Sequence, residues 1–175
     1  NRQLTADFPG YASRYVEAEM PGATAFFLQG AAGDLDPFID VQSSFRPAQS
    51  QGETLGEEVV RAASDVGNMT PLPADLALDW QIWQREFRRY YNRKESLLVS
   101  FGVLRLGREL AFLALPGEPF VDLQLYFKQW SPVSHSYLLG YANGYAGYFP
   151  TRKAHLEGGY GANSGDILHL EPSAG

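Results

Sequence analysis

The chain has 175 residues, is 45% hydrophobic and carries a formal net charge of −6, so it is one domain's worth of sequence with enough apolar content for a core. The acidic balance argues against a nucleic-acid partner, because phosphate recognition needs a basic surface. The absence of cysteine excludes disulfides, thiol nucleophiles and zinc-thiolate sites, and no apolar run reaches the roughly 18 residues that would predict a transmembrane segment.

No charged-then-apolar signal segment opens the chain, and its start at Asn1 rather than Met reads as a processed product, an engineered segment or a piece of a longer protein. The first predicted element is a helix. Asp7 can cap it, Pro9 suits its first turn, Tyr11, Tyr15, Val16 and Met20 recur down one face, and Pro21-Gly22 stops it. Residues 23–28 form a short apolar run that predicts a buried strand, ending in the small-residue loop Gln29 to Pro37. Phe38 to Ser50 is polar and irregular, after which Gln51 to Val66 has helical period, with Leu55, Val59, Val60, Ala63 and Val66 on one stripe. A proline-bearing connector, 68–74, separates this half from the next.

From residue 75 the period changes to two. Leu76, Leu78, Trp80 and Ile82 alternate with polar residues and predict a half-buried, edge-lying strand over 75–91. Arg85, Arg88, Arg89, Arg93 and Lys94 make the one basic cluster, which reads as a solvated strand or hairpin edge. Leu97 to Leu106 alternates too and turns at Gly107-Arg108 into the apolar run 111–115, a hairpin ending in a strand buried on both faces. Glu118-Pro119 then reads as the start of a helix running to about Trp130, followed by a strand at 136–140. A Gly/Tyr-rich loop leads to a short helix from Pro150-Thr151 (Arg152 to Leu156), a flexible Gly158-Gly159-Tyr160-Gly161 and a tail, 166–175, without a complete element.

Two strand ends carry the chemistry. Glu118 stands at the carboxyl edge of a buried strand, where open α/β sheets put their ligand sites. Asp34 and Asp36 place two carboxylates in a loop whose glycines, Gly33 among them, let backbone approach a ligand. Tyr141, Tyr145 and Tyr148 supply hydroxyls on a backbone that can fold closely round an object, and Asn143 supplies turn geometry. Other chemistries find no support. His135, His155 and His169 have no metal spacing, Ser134-His135-Ser136 places neighbours on opposite strand faces, and Gly30-Ala31-Ala32-Gly33 lacks the ending of a phosphate loop.

The L-P-G-E-P-F of 115–120, followed about 25 residues later by the N-x-Y-x-x-Y of 143–148, resembles the neutral, non-lysosomal ceramidase family, zinc amidases that hydrolyse N-acyl sphingosine. In that family the Glu of P-G-E and the second Tyr of N-x-Y-x-x-Y are zinc ligands, which the resemblance carries to Glu118 and Tyr148. The phrase Leu4 to Ala12 and the segment Gly158 to Tyr160 also look like the family's. The family's G-D-x-S-P loop, whose serine is the proposed nucleophile, corresponds to Gly33-Asp34-Leu35-Asp36-Pro37, so Asp36 stands in the serine's place. A mechanism that needs the serine hydroxyl does not transfer. A carboxylate there can act as general base or metal ligand. The family's two zinc histidines would fall before Asn1.

The expectation is therefore an α/β fold, a mixed sheet of short buried strands flanked by helices, forming one domain or part of a larger layered one. By resemblance it is the second half of a bacterial ceramidase-like zinc hydrolase, incomplete alone. Asp34 and Asp36 would be catalytic, Glu118 and Tyr148 would hold zinc, and Gly33, Asn143 and Tyr145 would contact a lipid-like or N-acyl substrate. Its partner would be the missing N-terminal half. Secretion is the family's habit in bacteria. A hydrolase of the same scaffold acting on another amide or ester, and a non-catalytic binding relative, are the alternatives.

Overall fold

In the computed structural model, which describes residues 3–38, 43–65, 75–89 and 95–163, the chain divides into two units: Asn1–Leu28 with Pro37–Leu72, and Gln29–Asp36 with Pro73–Gly175. The expectations for the connector at 68–74, for Arg93, Lys94 and His169, and for the tail fall outside the described residues.

Small residues set the packing of the first unit. Helices α1 (Asp7–Glu19) and α2 (Arg46–Ser64) meet through Ala12 and Val16 on one side and Ala48, Gly52 and Gly56 on the other. A Cβ on Gly52 would lie 2.4 Å from the Phe8 carbonyl oxygen, and one on Gly56 would lie 2.8 Å from Tyr15, so the two backbones approach as closely as glycine permits. This corrects the predicted stripe: Leu55 and Val59 remain exposed, because helical period in large residues marks a different face from the one the glycines open. α2 also begins earlier than predicted, with Pro47 in its first turn, where a missing N–H costs nothing. Asp7 is the first helical residue rather than the cap, and its carboxylate accepts from Phe8 N–H at 2.7 Å.

The predicted strand at 23–28 is not formed. Phe26 is 85% exposed, and the segment is tied to α1 instead, by Ala25 N–H donating to Glu17 and by an edge-on contact between Phe27 and Phe8.

The second unit is a mixed sheet, as expected. Strands β1 (Leu78–Arg88), β2 (Ser96–Leu106) and β3 (Leu110–Ala114) run antiparallel, and β5 (His135–Leu139) joins β3 in parallel, giving the order β1-β2-β3-β5. A parallel neighbour requires a crossover, and α3 (Val121–Trp130) supplies it. Gln124 on α3 donates to Ser136 C=O and accepts from Leu138 N–H, satisfying the outer edge of β5. One sheet face is filled: Phe87, Val99, Ala146 and Phe149 form a buried cluster with Leu97, Phe101 and Leu123 against it, and Phe101 contacts both Phe87 and Phe149 edge to face. β3 is buried less completely than predicted, with Phe112 and Leu113 only half covered.

Glu118 and Pro119 do not begin the helix. They form a two-residue strand β4 paired in parallel with β6 (Tyr148–Phe149), and α3 starts after Phe120. The flexible exit predicted at 158–161 is partly helical. α4 (Arg152–Glu157) is capped by the Thr151 hydroxyl and followed by α5 (Tyr160–Asn163).

Candidate functional site

The site is the wrap of one loop around one turn. Leu115 to Glu118 leaves β3 and is bound along its length by the loop after β5: Tyr141 N–H donates to Gly117 C=O, Ala142 N–H to Leu115 C=O, and Glu118 N–H to Gly147 C=O, all at 2.8 to 2.9 Å. A Cβ on Gly117 would lie 2.2 Å from the Gly147 oxygen, so only glycine fits where the two backbones cross. The loop turns this tightly because Tyr141 and Asn143 hold positive φ, 54° and 64°. For a tyrosine this is an outlier of about 1 to 3 kcal/mol, sustained by the hydrogen bonds around it. Asn143, expected at the substrate, is exposed and supplies this turn geometry.

The result is a carboxylate among phenols. Tyr145 donates its hydroxyl to Glu118 Oε1 at 2.7 Å, and its ring stacks on Tyr141, centroids 6.0 Å apart and 8° from parallel. Shielding of the hydroxyls from water, then hydrogen bonding to Glu118 and its negative charge, push Tyr141 and Tyr145 up to about 12 although both rings stay half exposed. The same causes, in the same order, raise Tyr148 further. Glu118 and Tyr148 are Cα partners across β4 and β6, so their side chains leave the ladder on one side. Tyr160 closes on the Tyr148 ring edge-on at 6.0 Å, and Gly161 permits it, since a Cβ there would meet that ring at 2.6 Å.

The aspartate loop reaches this place from the other side. Gly33 N–H donates to Pro119 C=O at 2.9 Å, a Gly33 Cβ would lie 2.4 Å from the Glu118 carbonyl oxygen, and Asp34 accepts from Val121 N–H at 2.8 Å at the start of α3. Asp34 therefore caps a helix, and Asp36 lies exposed two residues on. The structure thus gathers Gly33, Asp34, Glu118, Tyr145 and Tyr148, together with Tyr141, one of the three loop tyrosines singled out in the sequence, and adds Tyr160, to which sequence reasoning gave no role at the site. The turn at Tyr141 and the small residue at Gly161 bring these two rings in.

Among the described residues no group of three His, Cys, Asp or Glu converges as a metal shell. What converges is one carboxylate, an oxygen ligand of the kind zinc accepts, set among phenols of which Tyr145 donates its proton to it. No helix among the described residues is long and apolar enough to cross a membrane.

The fold is similar to part of two solved ceramidases. Across 99% of its length the chain is similar to a solved ceramidase complexed with C2, with a TM-score of 0.74 and 14% identity, covering 40% of that chain. It is likewise similar to neutral ceramidase from Pseudomonas aeruginosa, with a TM-score of 0.63 and 15% identity, covering 99% of this chain and 39% of that one. The chain therefore spans about two-fifths of the length of the ceramidases it matches. No family model and no curated protein matches the sequence.

Proposed function

We propose that this chain is part of a zinc-dependent hydrolase of N-acyl substrates, ceramide or a relative of it. The observation that supports this reading best is the Glu118 carboxylate ringed by tyrosine hydroxyls on a ceramidase-like fold. Glu118 and Tyr148 would hold the metal, and the remaining ligands would come from outside this chain, where the resemblance implies two histidines. When bound, zinc polarises an amide carbonyl and lowers the pKa of a coordinated water toward about 7.

The chain's own residues have definable work. Tyr145 fixes the carboxylate of Glu118 through its hydroxyl, as outer partners of metal ligands do. Tyr148, whose proton is held tightly beside Glu118, must release it for the oxygen to bind a cation, and a cation's charge favours that release. Asp34 pins the loop to α3, which leaves Asp36 as the carboxylate free to face a substrate as general base. The aspartate in the serine's place favours a second reading, the same scaffold acting on a different amide or ester.

The test is metal analysis and hydrolysis of N-acyl sphingosine and a panel of N-acyl amides and esters by the natural-length protein. One zinc per molecule and turnover, both lost in Glu118→Ala, is the expected result. Zinc at background with no turnover on any substrate sinks the proposal.

A further inference from the structure

The filled face of the sheet leaves part of its opposite face exposed. In β1 the even-numbered residues share one side, and the register sets Trp80 beside Leu104 and Phe112, with Tyr137 next in line across β5. Leu78 is 71% exposed, Trp80 46% and Ile82 57%, with Leu98 and Tyr137 exposed as well. The Trp80 ring lies over the gap at Gly102, where a Cβ would meet it at 2.3 Å, and Phe112 stacks on Tyr137 at 5.9 Å.

The sequence pattern contradicts this exposure. Leu78, Trp80 and Ile82 are the apolar half of an alternating strand, and Asp79 and Gln81 are its polar half. Alternation of that kind puts the apolar residues against a core. A contiguous apolar patch across four strands is the mark of a surface that is covered in the working molecule.

We infer that this face is the seat of the rest of the polypeptide, the portion corresponding to the 60% of the matched ceramidase chain that lies beyond the region of likeness. The inference rests on the reading of this chain as part of a longer protein and names the surface by which the parts join. An anionic membrane suits the surface less well, because the chain is itself acidic at −6.

Hydroxyl-radical footprinting read by mass spectrometry tests it, comparing the natural-length protein with the 175-residue chain. The expected result is modification of Trp80, Ile82 and Tyr137 reduced at least about tenfold in the natural-length protein, independent of protein concentration and without lipid. Equal modification in both, or a natural length of 175 residues with these side chains reactive, overturns the inference. So does protection that rises with concentration in the 175-residue chain, which marks a second copy, or protection that requires phosphatidylserine vesicles. Zinc and hydrolysis assays on the same preparation keep the readings apart: protected side chains without metal or turnover defeat the hydrolase alone, and turnover with reactive side chains defeats this inference alone.

Discussion

Glu118 and Tyr148, thirty positions apart in the chain, are direct partners in a parallel ladder of two residues per strand. Shielding of the hydroxyl from water, and then the carboxylate beside it, penalise the phenolate, so Tyr148 titrates above the ordinary tyrosine range of about 10. In the metal-free 175-residue chain, absorbance titration should show tyrosines ionising late, and Glu118→Gln should lower their pKa part of the way, since shielding from water remains. The protonated phenol is the form the fold prefers. Its contribution to stability is therefore complete below about pH 10 and is lost as pH rises through the raised values, about 12 for Tyr141 and Tyr145. Thermal midpoints of the parent chain should fall more steeply above about pH 10 than those of Glu118→Gln, in which no carboxylate penalises the folded-state phenolates. Coincident titration curves for the two would remove the carboxylate as the cause.

Tyr145→Phe isolates the hydroxyl. The stacked ring on Tyr141 stays and only the donor to Glu118 is lost, so stability should change by no more than about 0.5 kcal/mol, the low end for a hydrogen bond at an exposed site. In the natural-length protein, zinc affinity measured by competition with a chelating dye should fall about 10- to 100-fold, the usual effect of removing an outer partner of a ligand. Unchanged affinity would leave Tyr145 without a role at Glu118.

Much of the second unit was legible in the sequence, because its strands are short and apolar or strictly alternating, and those are local signals. β1, β2 and β3 lie where period two and the Gly107 turn put them. Glu118 and Tyr148 come together as the resemblance to P-G-E and N-x-Y-x-x-Y led one to expect, but through a ladder too short to leave a periodic trace. The misses share a cause. Residues 23–28 have the composition of a buried strand and no strand partner among the described residues, and the Gly52 and Gly56 contact is made by what side chains lack. Periodicity counts large apolar residues, so it is blind to an interface made by glycine and to whether a strand-like run finds a partner to pair with.

Glycine contacts give the sharpest stability test. Gly33→Ala would drive a methyl to within 2.4 Å of the Glu118 carbonyl oxygen and 3.0 Å of Phe120, so β4 must shift or the loop must detach. Denaturant unfolding should show a loss of about 1 to 3 kcal/mol. Gly30→Ala, three residues earlier in the same loop, has nothing within 4 Å of its Cβ and should stay within about 0.5 kcal/mol of the parent. Equal effects at the two positions would mean that the loop does not press on Glu118.

The two aspartates should separate by what each touches. Asp34 accepts from Val121 N–H at the head of α3, so Asp34→Ala should cost about 0.5 to 2 kcal/mol, while Asp34→Asn, which keeps an acceptor oxygen, should recover most of it. Asp36 is exposed, so its substitutions should leave stability within about 0.5 kcal/mol and act on chemistry alone. If Asp36 is what separates this site from one that cleaves N-acyl sphingosine, Asp36→Ser in the natural-length protein restores the family's hydroxyl. Hydrolysis of N-acyl sphingosine relative to other amides and esters should then rise at least about tenfold, a difference of about 1.4 kcal/mol in barrier. Asp36→Ala supplies neither hydroxyl nor carboxylate and should not produce that rise. A shift of the same size in Asp36→Ala would show that the negative charge, and not the missing hydroxyl, had excluded the sphingolipid.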